Sequence, residues 1–116
     1  MLLGKEFSNM DFCIILATSS NIEESKKIAH ALVENKLAAC VNIIPNIISV
    51  YSWQNNIAED GEFLLVIKSR ESLFNDIKQA ILNLHSYELP EIIVLPIKEG
   101  HKDYLKWIED ETTEKR

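Results

Sequence analysis

Leu37-Ala38-Ala39-Cys40-Val41-Asn42-Ile43-Ile44-Pro45-Asn46-Ile47-Ile48-Ser49-Val50-Tyr51-Ser52-Trp53 is a long, mainly apolar stretch rich in β-branched residues. That content predicts an extended strand. Pro45 has no N–H to give to a ladder, so it predicts an edge position or a bulge. At about 3.3 Å per residue a straight strand of this length would run roughly 55 Å, against a radius of gyration of about 13 Å for a domain of this size. The segment must bend, project from the body, or do both. Apolar extended segments this long exceed what the chain's own helices can cover, which predicts partner subunits.

Upstream, Phe12-Cys13-Ile14-Ile15-Leu16-Ala17 is a continuous apolar run, the pattern of a strand buried on both faces and therefore central in its sheet. Thr18-Ser19-Ser20-Asn21 closes it, Ser20 and Glu23 have capping-box spacing, and Ile28, Ala29, Leu32 and Val33 recur at helical intervals. A helix over about 22–35 follows, with Asn35 as its left-handed C-terminal residue. Downstream, Gln54-Asn55-Asn56 supplies the positive φ angles of a tight hairpin, and the return strand closes on Glu62-Phe63-Leu64-Leu65-Val66-Ile67-Lys68-Ser69. Leu73, Ile77, Ala80, Ile81 and Leu84, with Phe74 beside them, form one face of a second helix that stops near His85-Ser86. Glu91 to Ile97 is a last strand, Tyr104, Trp107 and Ile108 mark a short terminal helix, and Thr112 to Arg116 reads as a frayed tail.

This order predicts an α+β fold of the ferredoxin-like βαββαβ type with an extra C-terminal helix. Its antiparallel four-stranded sheet carries helices on one face and has a long, bent second strand. A single domain over residues 1–116 is expected, with an ordered core of about 12–110. A chain of 116 residues that is 47% hydrophobic and 26% charged, with three Gly and three Pro, has the composition of a globular protein rather than a disordered or repetitive one. The net charge of -6 argues against nucleic acid, whose phosphates are bound by clustered Lys and Arg. Met1-Leu2-Leu3-Gly4-Lys5-Glu6 lacks a basic n-region and no run of eighteen apolar residues occurs, so a soluble cytoplasmic protein without a membrane partner is expected. Cys13 and Cys40 form no Cys-x-x-Cys and predict free thiols on strands rather than a disulfide.

Ferredoxin-like folds host many functions, so chemistry must come from particular residues. The loop after the first strand holds neither the Cys-x-x-Cys of a metal chaperone nor the Arg of an acylphosphatase. The central strands carry aliphatics rather than the stacking aromatics of an RNA-recognition domain. No nucleophile–base pair stands out, and the chain reads as a non-enzyme.

Several motifs in one order carry a resemblance: Lys36-Leu37-Ala38-Ala39-Cys40-Val41-Asn42 with Ile44-Pro45, Ser49-Val50-Tyr51-Ser52-Trp53, Glu62, Lys68-Ser69, His85-Ser86-Tyr87-Glu88-Leu89-Pro90-Glu91-Ile92, and Tyr104 with Trp107. Over roughly residues 12–108 the chain resembles the CutA divalent-cation-tolerance family. The resemblance implies a homotrimer of ferredoxin-like subunits, similar in architecture to the PII nitrogen-signalling proteins, and a link to divalent metal ions, copper especially, without an organic cofactor. By the same resemblance Cys40 and His85 match positions at which the family meets metal, while Trp53, Glu62, Lys68, Tyr87 and Glu91 match its inter-subunit cleft. Three positions depart from the family pattern. Ser86 stands for the usual Pro, which loosens the turn that aims His85; Asn56 stands for Lys, removing a charge; and Ser69 stands for Thr, keeping the hydroxyl.

The residues themselves leave alternatives open. Thiolate and imidazole suit copper and zinc, and a threefold axis would triplicate each ligand; equally, Cys40 reads as a small core residue and His85 as a helix C-terminal residue set against the macrodipole. Lys68 with Glu62, Tyr87 and Glu91 reads as a pocket for a small ligand or as an ion pair at a subunit seam. Tyr51 and Trp53 read as interface anchors, His30 as solvated, and His101 as near the start of the last helix. The first functional expectation is a trimeric, non-enzymatic protein that binds or responds to metal. The alternatives are a PII-like regulatory trimer sensing a small metabolite or anion in its clefts, and a scaffold presenting a downstream protein.

Overall fold

The structure, a computed structural model, describes residues 11–112. β1 (Phe12–Ser19) is the inner strand expected of an unbroken apolar run. It pairs antiparallel with both β3 (Asn56–Arg70) and β4 (Ile92–Pro96), and β2 (Cys40–Trp53) lies outside β3, giving the order β2-β3-β1-β4. The helices are α1 (Ile22–Glu34), α2 (Phe74–Leu84), which follows a short 3-10 turn, and α3 (Lys102–Glu111). The architecture is the α+β, ferredoxin-like arrangement with an added terminal helix.

Pro45 sits where it must. β2 is an edge strand, and the β2–β3 register shifts between Ile44 and Ile47, a bulge that spares the ladder the missing N–H. The hairpin closes with Gln54 at φ 52 and Asn55 at φ 66, both left-handed, as a two-residue turn between twisted strands requires. Asn56 is already the first residue of β3. The β2–β3 arm projects, giving a long dimension of 53 Å and a radius of gyration of 15.4 Å.

α1 begins at Ile22, as expected, but the residues that cap its two ends differ from the expected ones. Asn21, not Ser20, is the N-cap: its backbone is extended and its carboxamide oxygen accepts from the Glu24 N–H at 2.7 Å. Asn caps at least as well as Ser, and it is the residue directly before the first helical turn. At the other end Asn35 has φ -91 and Lys36 takes the left-handed angle, φ 60. Leu37 N–H reaches the Leu32 carbonyl at 2.9 Å and Lys36 N–H the Val33 carbonyl at 3.1 Å, a complete Schellman motif. Burial of Leu37 against Leu32 in the core fixes which residue turns left, and the strain falls on an exposed Lys.

The core lies between one face of the sheet and α1 and α2. Cys13, Ile15, Leu65 and Ile67 from the strands meet Ile28, Leu32, Ile77 and Ile81 from the helices, all 0–1% exposed. The buried Ser69 hydroxyl donates to the Leu37 carbonyl at 2.5 Å, so the departure from Thr keeps the polar link. The opposite sheet face is apolar too. It carries Ile14, Leu16, Val66, Ile44, Ile93 and Leu95, and the last three are 44–48% exposed.

Thr112, expected in a frayed tail, is instead fully buried: its hydroxyl donates to the Ile108 carbonyl, and Arg70 donates to its hydroxyl at 3.0 Å and to its carbonyl. A long-range partner holds the helix end that local sequence leaves loose. Residues 113–116 of that tail, and the opening residues read above, lie outside the described residues. No helix among the described residues is long and apolar enough to cross a membrane.

Cys13 is a buried thiol, as expected, and its burial, reinforced by the negative Glu71, pushes its pKa from 9.0 up to about 12. The folded state thus prefers the neutral thiol. The stabilisation is complete below about pH 9 and is lost as pH rises towards 12, by about 1.4 kcal/mol per pH unit in that window. Urea denaturation at intervals from pH 8 to 11 is expected to show this decline, and Cys13→Ala is expected to flatten it; equal slopes in the two proteins would refute the assignment.

Candidate functional site

The projecting arm, the end of β1 and the loop after α2 enclose an open cavity of about 630 Å³. Its position follows from the hairpin register. With the turn at Gln54–Asn55, Ser49, Tyr51 and Trp53 share one face of the arm with Ala58 and Asp60, while Ile48, Val50 and Ile57 share the other. The first face turns its aromatic and acidic groups to the cavity, and the loop adds Tyr87, Glu88 and Glu91. Four carboxylates, Asp60, Glu62, Glu88 and Glu91, border it, and no Lys, Arg or His does among the described residues.

The phenols order this acidic wall. Tyr87 donates to Glu62 Oε2 at 2.8 Å, and Tyr51 donates to Asp60. Burial, then the Glu62 carboxylate, pushes the Tyr87 pKa above the ordinary phenol range; for Tyr51 the hydrogen bond to Asp60 is the main cause of an upward shift. Both phenols stay protonated donors at neutral pH, which pins the two carboxylates.

Four of the residues assigned from the sequence to the cleft, Trp53, Glu62, Tyr87 and Glu91, border this cavity. Lys68 does not. It lies six residues beyond Glu62 on β3, roughly 20 Å along the strand, directly opposite Cys40. There its ammonium donates to Asn42 Oδ1, which the Cys40 thiol also approaches at 3.9 Å. The Tyr104 phenol of α3 completes this second cluster, its pKa pushed up first by burial and then by Cys40.

His85 belongs to neither group of donors. It ends α2 with its side chain 1% exposed, Nε2 2.5 Å from the Thr18 carbonyl and Nδ1 accepting from the Tyr87 N–H at 3.0 Å. Cys40 and His85 are not brought together within one chain. Thr18, the partner of His85, stands opposite Leu64, four residues along β3 from the Lys68 that faces Cys40. Among the described residues no three of His, Cys, Asp and Glu converge to hold a metal ion. The single subunit thus does not fit a preformed site built on this pair. His30 is exposed, its Nδ1 3.4 Å from Glu34, and His101 caps α3 by accepting from the Tyr104 N–H.

Asp60 and Glu88 escaped the sequence reading, and Tyr51 entered it only as an interface anchor. The signal for Asp60 was present: once the two-residue turn is placed, Asp60 pairs with Ser49 and is a diagonal neighbour of Tyr51 on the same face.

Residues 13–111 match the family model of the CutA1 divalent ion tolerance protein. The divalent-cation tolerance protein CutA of Thermus thermophilus is 44% identical over 99 residues, 85% of this chain and 96% of its own length. The chloroplastic CutA 1 of rice is 44% identical over 87% of this chain but only 57% of its own length, so the chain spans little more than half of that relative. Solved structures agree. The Thermus thermophilus protein superposes with a TM-score of 0.86 at 43% identity, covering 88% of this chain and 99% of its own, and rice CutA1 with 0.87 at 42%, covering 90% and 96%. A third, the periplasmic divalent cation tolerance protein CutA from Archaeoglobus fulgidus, gives 0.85 at 37% identity over 88% and 99%. With the arrangement of its strands and a sequence match from residue 13 to residue 111, the chain belongs to the CutA1 divalent ion tolerance family.

Proposed function

We propose that the protein acts in divalent-cation tolerance as a cytoplasmic homotrimer without enzymatic activity. In this reading it takes up a divalent metal, copper foremost, at clefts between subunits. The observation that carries the reading is the charge of the cavity that one chain contributes: four carboxylates and, among its described residues, no basic side chain, a field that concentrates cations and repels anions. The uncovered apolar sheet face and the exposed Ile48, Val50 and Ile57 of the arm supply the surface for association. Cys40 lies outside the cavity of its own chain, so in this reading it is a soft donor that a neighbouring subunit brings to the cleft, with thiolate chemistry suited to copper. A metabolite or anion sensor needs a cation in the cleft, and within one chain Lys68, its best candidate, is engaged with Asn42 outside the cavity, which favours the cation reading.

Calorimetric titration of the full chain with zinc and copper tests this. Glu62→Gln and Glu91→Gln are each expected to weaken cation binding about tenfold, some 1.4 kcal/mol, while Lys68→Ala leaves it unchanged. Cys40→Ser is expected to lower copper affinity more than zinc affinity. Wild-type affinity in both carboxamide variants would sink the cleft assignment, and loss of binding in Lys68→Ala would favour the anion reading.

A further inference from the structure

The surroundings of His85 assign it a different part from the one the family resemblance implies. We infer that His85 is a positioning residue of the cleft, held as the neutral Nε2–H tautomer with both ring nitrogens engaged, and that it is not a metal contact. A carbonyl oxygen only accepts, so the Thr18 oxygen 2.5 Å away requires the proton on Nε2. A backbone N–H only donates, so Tyr87, 3.0 Å from Nδ1, requires a lone pair there. The opposite tautomer would set two lone pairs against each other at Thr18 and orphan the Tyr87 N–H. A metal could take only the Nδ1 lone pair, which Tyr87 occupies, or displace the Nε2 proton that Thr18 holds, in a side chain 1% exposed. Glu24 Oε2, 3.6 Å from Nδ1, is beyond hydrogen-bond range and already accepts from the Ser19 hydroxyl at 3.0 Å.

What His85 holds is the cleft. Its ring packs on Tyr87, centroids 4.6 Å apart at 60°, and the Tyr87 phenol holds Glu62. A continuous line thus runs from the β1 backbone through His85 and Tyr87 to a cleft carboxylate. The line also answers the departure at Ser86. His85 keeps the extended angles, φ -86 and ψ 145, that a following proline would impose, and its two ring hydrogen bonds restrain the turn in place of the ring that Ser86 lacks.

The effect on cation affinity rests on the cleft reading above; the tautomer does not. Imidazole ¹⁵N–¹H correlation spectra of the full chain, with His85 assigned by its absence in a variant, are expected to show a protonated Nε2 and an unprotonated Nδ1. One equivalent of zinc is expected to leave both signals in place. An Nδ1–H tautomer, or a zinc-induced displacement of either ring nitrogen, would overturn the inference. Two substitutions separate positioning from ligation, since an Asn side-chain oxygen can replace Nδ1 and a Gln amide nitrogen can replace Nε2. His85→Asn retains the acceptor for Tyr87 and is expected to bind zinc within about threefold of wild type, whereas His85→Gln loses it and is expected to bind roughly tenfold more weakly. Equal, near-complete loss in both would mark a ligand and refute the positioning role. Should wild type bind no zinc, the cleft reading falls and the tautomer spectrum alone decides His85.

Discussion

In the proposed homotrimer, Ile48→Asp is expected to reduce the particle mass measured by light scattering from that of three 13.3 kDa chains to that of one, at micromolar concentration and with the far-ultraviolet dichroism preserved. Ile48, Val50 and Ile57 are 70%, 65% and 77% exposed in the isolated chain, and the hairpin register sets them on one face of the arm. Gly61, opposite Ile48, has no side chain to shield it. Burying such side chains against a neighbour contributes about 1.5–3 kcal/mol each. An aspartate in their midst loses one of these terms and adds the cost of an unpaired buried charge, several kcal/mol per subunit. The same change leaves the β2–β3 ladder intact, because it removes no backbone donor, so the subunit keeps its fold. An unaltered three-chain mass would show that this face does not carry assembly.

Ile15→Ala is expected to cost about 3–4 kcal/mol of stability, read as a lower urea midpoint at unchanged slope and fixed protein concentration. Ile15 is 0% exposed on the inner strand, between Ile67 and Val94, within the cluster that joins both helices to the sheet. Deleting three buried carbons there leaves a cavity that close-packed neighbours on both strands and helices cannot fill. Ile14→Ala, one residue away on the open face, is the control and, with both changes measured in the monomeric Ile48→Asp background, is expected to cost markedly less. Equal losses at the two positions would mean that the helices do not define the core. Against a total stability of about 5–15 kcal/mol for a domain, the Ile15 effect alone is a large share.

Much of the fold was legible because its determinants are local. The unbroken apolar run of β1, the helical spacing of Ile28 to Leu32, the proline at the bulge and the left-handed turn residues each act within a few positions of themselves. The misses have equally specific causes. The left-handed residue moved from Asn35 to Lys36 because Leu37 is drawn into the core, and Thr112 is ordered by Arg70, 42 residues away. Trp53, Glu62, Tyr87 and Glu91, which border the cavity, were named through family resemblance; the distance of Lys68 from that cavity within one chain and the engagement of both His85 nitrogens were not legible.

By itself, the sequence determined the element order, the inner place of β1, the edge place of β2 and the need to cover a long apolar arm, since periodicity and turn chemistry report on neighbours along the chain. Tertiary structure alone decided which charges share a cavity. Glu62 meets Tyr87 across 25 positions and His85 meets Thr18 across 67, contacts set by strand register and loop packing rather than by any local pattern. The arm from Leu37 to Trp53 shows both halves: its extension was written in its residues, while its two faces, one with Tyr51, Trp53 and Asp60, the other mainly aliphatic with Glu59 opposite Val50, were assigned by the pairing with β3.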